Sequence, residues 1–448
     1  MADKKAIKRG TFLQAAGATA AGAALVSTGA GKALASSSKA PVTLEFWNPA
    51  TDPTGKIIIA KIVDNFNATV GKSNGIFVHN RPTPGDHGYV KYTTAMTSSG
   101  SPDVIMTYDY SPVSLWAANG FIKPLDGYAK TVGIKEGDFF PIAWNMMNFG
   151  GHIWGLLQEF DFNQLFWNKD IHHGAPPKTL DELDAWAAKY NKFDTKGNLV
   201  QAGIIPWSQG GQDWCILLGG RLFDPNTSKW TINTPENRRF LDWFLKYVDK
   251  FGGRAKSDAL ESATPKIYGD IFLYGKTAFA LEGEYVPLEV KQLGLKKLRY
   301  GIAHSPTGPG VPYGSNVTGG GNLFLLPTKS PHPREAAILI QYLGGTQAVM
   351  DWNLGVSNIA PVKAAVFDPS YEKKMPWIKA WVDTLEFNHM VAPYQSTQVS
   401  LFNTLMGTAI QEVTYKKKTP TQALADVESK VAAAEQKFKQ FHPGWSGS

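Results

Sequence analysis

The stretch Leu157–Asp170, LQEFDFNQLFWNKD, sets two carboxylates, Glu159 and Asp161, one residue apart. Phe160, Phe162, Phe166 and Trp167 fall between and after them, and the amides Asn163 and Gln164 follow. In an extended chain alternate side chains share a face, which would align Glu159, Asp161 and Asn163. Acids beside aromatics suit a sugar, because carboxylates accept hydrogen bonds from hydroxyls and an aromatic face covers the C–H side of the ring. Two chemistries are open. A glycosidase needs an acid and a base or nucleophile flanking the bond, one of them with a pKa raised by burial. Glu159 and Asp161 would lie roughly 7 Å apart, from a rise of about 3.3 Å per residue. That separation is usable, but both would stand on the same side of a bound ring. Holding a sugar demands no such flanking.

The remaining carboxylate candidates are Asp109, Asp213, Glu282 and Glu284. Aromatic residues make up 12% of the chain, with 14 Trp and 16 Tyr, enough to furnish either a large core or a site with flat apolar walls. Trp47, Tyr108, Tyr110, Trp207, Trp214, Tyr285 and Tyr394 fall in expected loops or at strand ends, and as a set with Asp109, Asp161, Asp213 and Glu284 they suit a carbohydrate cleft. Other chemistries find no support. Gly269–Thr277, GDIFLYGKT, has five residues before Gly-Lys-Thr where a phosphate loop has four, and it precedes an expected strand rather than a helix. His172-His173 cannot converge on one metal as neighbours and reads as a surface turn. There is no G-x-S-x-G nucleophile elbow. No metal or cofactor is expected.

These residues need positioning elements. Val42–Trp47, Gly75–Val78 and Asp103–Tyr108 read as strands. The apolar spacing of Ile59, Ile62, Val63 and Phe66, and the stretch 88–99, read as helices between them. Such alternation predicts a parallel sheet with ligands at the carboxyl ends of its strands. Thr179 with Glu182 forms a capping-box pattern, Thr234-Pro235 starts a second helix, and the chain closes with an amphipathic helix opened by Thr419-Pro420. Gly314–Pro327, GSNVTGGGNLFLLP, reads as a crossing segment. A length of 448 residues suits two domains. Cys215 is the sole cysteine, so no intramolecular disulfide is expected, and its apolar neighbours mark it as core.

Residues 1–35 have the anatomy of an export signal: a basic segment ending at Arg9, an Ala/Gly-rich apolar stretch and Ala33-Leu34-Ala35 as an A-x-A site. KRGTFLQAAGA resembles a twin-arginine signal with Gly10 in place of the second arginine. No cysteine follows the apolar stretch, so no lipoprotein anchor is expected. The formal charge of +7 comes largely from this segment; without it 40 basic and 37 acidic side chains remain, and nothing calls for nucleic acid.

Several separated motifs carry a resemblance over nearly the whole mature chain. Ser101–Lys130, SPDVIMTYDYSPVSLWAANGFIKPLDGYAK, resembles a Pro-Asp-(Val/Ile) strand followed by an Asn-Gly-x-(Leu/Ile)-x-Pro-Leu-Asp helix end. IWGLLQEFDFNQLFWNKDI resembles a segment ending Tyr-Asn-Lys-Asp. Pro176–Tyr190 is similar to Pro-Lys-Thr-Trp-x-Glu-Leu, and Phe272–Tyr285 to Phe-x-x-Gly-Lys-x-Ala-(Met/Phe). By order and spacing the chain resembles the extracellular solute-binding proteins of family 1, the carbohydrate-binding subunits of ABC uptake transporters. The resemblance implies an α/β, two-lobed periplasmic-binding-protein fold with hinge crossings and a ligand cleft between the lobes. It implies a first lobe of residues 36–160 plus 323–365 and a second of 161–322 plus 366–448. Crossings would fall near Glu159–Asn163, Gly321–Leu326 and 364–371. It places ligand contacts at Asp161, at Tyr108 and Asp109, at Tyr285 after Glu284, at Tyr394 and Gln395, and at the wall Trp207–Trp214; Trp47 ends the first strand beside them. It implies a monomer that takes a carbohydrate, closes, and docks on membrane permease subunits whose separate ATPase supplies the energy. The competing readings are an exported glycoside hydrolase or lyase acting through Asp161, and a binding protein for a polyol phosphate.

Overall fold

In the strand Val42–Asn48, Leu44, Phe46 and Asn48 are buried while Thr43, Glu45 and Trp47 turn to the opposite face, the period-2 pattern of a pleated chain. The helix Pro53–Phe66 follows. Asp52 caps it by accepting from Gly55 N, and its stripe Ile59, Ile62, Val63, Phe66 is buried. These features belong to a computed structural model that describes residues 40–84, 89–208, 211–225, 227–265, 271–318, 320–392 and 394–445. The export segment 1–35 lies outside the described residues, as do residues 209–210 of the Trp207–Trp214 wall and the start of the false phosphate loop. The described fold is that of the unit Pro41–Ser448.

Val42–Asn48 pairs in parallel with Ile76–Pro82 and Val104–Met106. The helix expected over 88–99 spans Val90–Thr97. The sheet that results is mixed, not parallel as the alternation suggests. Leu323–Pro327 lies antiparallel to Val104–Met106 and also pairs with Gly155–Leu157 and Ile122–Lys123, which makes six strands. Its direction has a physical cause: this strand enters from the second lobe, so it is not bound to the crossover geometry that keeps successive βαβ strands parallel. The second lobe has its own three-stranded antiparallel sheet, Phe279–Glu282, Gln164–Asn168 and Tyr300–Ala303 in that order. Around it stand Leu180–Tyr190, with the expected capping box between Thr179 and Glu182, Pro235–Phe251, capped by Thr234, and Pro420–Phe441, capped by Thr419. Ile271–Gly275 forms turns before the strand Phe279–Glu282, so Gly275-Lys276-Thr277 opens no helix.

Three passages join the lobes. The first runs between Leu157 and Gln164. The second ends before Leu323, which is already paired with Leu157 in the first sheet. The passages touch: Asp161 bridges Gly320, and Phe160 bridges Ile359 of the third. At Gly321 a Cβ would lie 2.4 Å from Glu159 O, so this contact requires glycine and explains the last residue of the Gly run. The third passage extends beyond 364–371. The helix Pro369–Lys374 still packs on Thr346–Val356, a helix seated against Pro53–Phe66, and only at Lys379–Phe387 does the chain reach the second sheet, where Gln164 Nε2 donates to Ala380 O at 2.9 Å. Buried apolar residues form two clusters, one around Phe46, Phe66 and Trp116, the other around Phe240, Trp214 and Val427.

Candidate functional site

Several cavities open between the lobes; one of about 630 Å³ sets Asn145 and Asn148 opposite Arg221, His389, Tyr394 and Gln395. Two others hold further expected residues. The first, about 470 Å³, takes Asp109, Tyr110 and Ser111 from the first lobe, and Gln212, Asp213, Tyr394 and Asn403 from the second, with Val317 and Thr318 from the approach to the second passage. The loop after the strand Val104–Met106 delivers Asp109, and local bonds fix it. Tyr89 OH donates to Oδ2 at 2.7 Å, and Ser111 N donates to Oδ1 at 2.7 Å. On the opposite wall Asp213 Oδ2 accepts from Asn163 Nδ2 at 2.8 Å; burial pushes Asp213 up to about 6, held back by that bond. The lobes meet directly here: Ser400 Oγ donates to Ser111 Oγ at 3.2 Å, and Gln395 Nε2 donates to Asn145 O at 2.8 Å.

The second cavity, about 540 Å³, sets Asp52, Tyr108 and Trp352 opposite Tyr285, Leu288 and Glu289, with Glu159 and Asn358 from the passages. Tyr108 is 44% exposed, and its OH donates to Pro49 O at 2.7 Å. That bond orients the ring with much of its face open to solvent. Glu159 is buried and accepts from the Trp352 indole N–H. Burial, with Asp161 close by, pushes it up to about 8, against the Trp352 and Asn358 bonds. Asp161 accepts from Asn358 Nδ2 at 3.3 Å and meets Glu284, which is fully buried. Desolvation raises both carboxyls, and each is close enough to the other to share a hydrogen bond. Asp161 lines neither cavity itself, but its bridge partner Gly320 runs beside Asp109: a Cβ there would stand 3.8 Å from Asp109 Cβ.

The structure therefore brings together Asp109 and Tyr394 in one cavity, Tyr108 and Tyr285 in the other, and Asp161 and Glu284 at the passages. Gln395 lines the cavity of about 630 Å³ and holds Asn145 across it. Three expected contacts lie elsewhere. Trp207 is buried against Phe244 and Phe251, with the Arg254 guanidinium over its ring. Trp214 is 1% exposed and packs on Trp243 at 4.8 Å. Both rings belong to the second core: the short helix Asp213–Leu217 turns Trp214 inward with its apolar side, and Trp207 reaches the same cluster from the turn before it. Trp47 packs on Tyr92 at 6.2 Å and lines neither cavity. Phe160 and Phe162 are buried and stacked on each other, as alternation implies. His172 is a correction of another kind: it is not at the surface but buried, 3.0 Å from Tyr190 OH, while His173 is exposed. Sequence reasoning passed over Tyr89, Ser111, Trp352, Asn358 and Asn403. The turn pair Asp109–Ser111 carried a local signal; the others are assembled by tertiary contact alone.

Among the described residues no group of three or more His, Cys, Asp and Glu is arranged to hold a metal ion, and no helix is long and apolar enough to cross a membrane. A two-lobed fold with polar groups facing each other across an interlobe cleft is the geometry of a capture protein, and residues 61–383 match the family described as bacterial extracellular solute-binding protein. The chain belongs to that family. A relative of this solute-binding protein from Deinococcus radiodurans, a probable ABC transporter-binding protein, is 23% identical over 308 residues, covering 65% of this chain and 71% of the relative. An uncharacterised ABC transporter extracellular-binding protein of Pyrococcus horikoshii is 24% identical over 293 residues, 61% of each chain. Among solved structures, CpMnBP1 with mannotriose bound has a TM-score of 0.75 at 27% identity, over 87% of this chain and all of that one. A cyclo/maltodextrin-binding protein complexed with maltotetraose has a TM-score of 0.69 at 20% identity, over 88% of this chain and 97% of that one, a likeness of fold.

Proposed function

We propose that this solute-binding protein captures a neutral saccharide between its lobes and delivers it, chemically unchanged, to the membrane permease of an ABC uptake transporter. The observation that carries this reading is the opposition of polar groups across the cleft: Asp109 and Ser111 on one lobe, Gln212, Asp213 and Asn403 on the other, around one cavity. A ligand touching both walls at once is bound best when the lobes are together, so it shifts the hinge equilibrium toward closure. The mannotriose carried by CpMnBP1 supports a mannose-type oligosaccharide as ligand. The residues lining the first and second cavities are neutral or acidic, which favours a neutral sugar over a polyol phosphate there; Arg221 and His389 line the neighbouring cavity of about 630 Å³. Tyr108 and Tyr285 stack on sugar rings in the second cavity; Asp109, Asp161 and Asp213 accept from hydroxyls.

Glycoside hydrolysis through Glu159 and Asp161 is the weaker reading. The raised Glu159 has the character of an acid, but its carboxyl already accepts from Trp352, and Asp161 is committed to Asn358 and Glu284. The lobes comprise residues up to about the first passage plus Leu323–Lys374, and the intervening residues plus Ile378 onward, the latter boundary lying past the expected 366 because Pro369–Lys374 packs on the first lobe. The protein works outside the cytoplasm as a monomer, periplasmic or held at the cell surface. Calorimetry with mannotriose and maltotetraose, followed by chromatography of the recovered sugar, tests this. Saturable binding with intact sugar supports it; turnover at catalytic rates, or binding of polyol phosphates alone, overturns it.

A further inference from the structure

All three passages meet at one carboxyl cluster. Glu159 and Asp161 sit on the first, Asp161 bridges Gly320 of the second, and Phe160 bridges Ile359 of the third. Glu284 follows the second-lobe strand Phe279–Glu282 and brings its carboxyl to Asp161. Neither Glu284 oxygen has a hydrogen-bond donor among the described residues, so its approach to Asp161 is favourable only when one of the two carboxyls carries a proton. Among the described residues, the groups that face the cluster are the Trp352 indole, the Asn358 amide, the carboxyl of Asp52, the carboxyl of Glu289 across the cavity, and the phenols of Tyr108, Tyr285 and Tyr371. None of these carries a positive charge. Charge balance at the hinge therefore falls to protons, since two carboxylates in contact cannot both ionise.

We propose that the hinge is a proton-coupled clasp: bringing the lobes together takes up protons onto Glu159, Asp161 and Glu284, and losing those protons drives the lobes apart and releases the ligand. Glu159 lines the second cavity between first-lobe Tyr108 and second-lobe Tyr285, so opening hydrates it and closing desolvates it. The sign follows from the direction of the shifts. Burial raises all three acids, Glu159 to about 8, so the closed form binds more protons than a hydrated, open one. Closure is favoured on the acid side and weakens as pH climbs from the ordinary carboxylate range to about 8. For one proton taken up, the closure constant falls about tenfold per pH unit across that window.

The hinge part is independent of the saccharide reading; the release part rests on it. The ligand-free test is a titration from about pH 5 to about pH 9 of the Trp352 indole N–H resonance, assigned with Trp352→Phe, alongside small-angle scattering. The clasp predicts that this resonance moves with a midpoint near 8 and that the radius of gyration grows over the same range. Both responses should be lost or strongly reduced in Glu159→Gln, with Glu284→Gln as a second comparison should the first fail to fold. Mannotriose affinity should fall with the same profile in the wild type and flatten in the variants. A resonance that does not titrate, or scattering that is invariant with pH, overturns the proposal. Hinge titration without mannotriose binding at any pH supports the clasp and counts against the saccharide reading alone.

Discussion

On the first-lobe wall of the cleft, Asp109 is held by Tyr89 OH, Ser111 N and Ser111 Oγ and presents its carboxylate to the cavity. On the second-lobe wall, Trp207 and Trp214 turn away into the core, while Gly211, Gln212 and Asp213 between them reach the same cavity. One wall fixes a polar group by satisfying it locally; the other fixes a polar group by burying the aromatics that flank it. The lesson is that the aromatic residues nearest a polar loop are as apt to be its foundation as its ligand contacts. A carboxylate with several local donors is pre-oriented for a further hydroxyl.

That contrast is open to attack by substitution. The largest effect is expected at Trp214. Trp214→Ala should lower unfolding free energy by about 3–5 kcal/mol, as for other buried Trp or Phe truncations, while the saccharide affinity of the remaining folded protein changes little. Thermal denaturation beside calorimetry separates the two; a stable protein that no longer binds would move Trp214 back to the site. Next comes Asp109→Asn, which should cost about 1.5–3 kcal/mol of affinity through loss of a charged acceptor with a small change in melting temperature. The reverse pattern would make Asp109 structural. Tyr89→Phe removes one donor to that carboxylate and should cost about 0.5–1.5 kcal/mol, read by calorimetry against Asp109→Asn in a double-mutant cycle. Sub-additive effects are expected if the tyrosine acts through the aspartate.

The same contrast marks what could be read from the chain. Local rules carried the helices: the caps at Thr179, Thr234 and Thr419 and the stripe Ile59–Phe66 depend on neighbours a few residues away, and all stand. The strand Leu323–Pro327 was visible as an apolar run, but its antiparallel placement depends on which lobe it arrives from. The site divided in the same way. Asp109, Tyr108, Asp161 and Tyr285 reach the cavities or the passages because each follows a strand end or lies on a passage. Trp207, Trp214 and Trp47 do not, since side-chain direction in a loop or short helix is decided by packing partners such as Phe244, Trp243 and Tyr92, far away in sequence. Glu159 is the intermediate case. Its acid was legible, but its burial beside Trp352, 193 residues on, was not.

The account depends above all on a solute being gripped by both lobes at once. Small-angle scattering during a titration with mannotriose, at a fixed pH below the hinge transition, measures this directly. The account predicts a fall in radius of gyration that saturates at one sugar per chain, with the sugar recovered intact. Saturable binding with unchanged dimensions, or cleavage of the sugar during the titration, would contradict it.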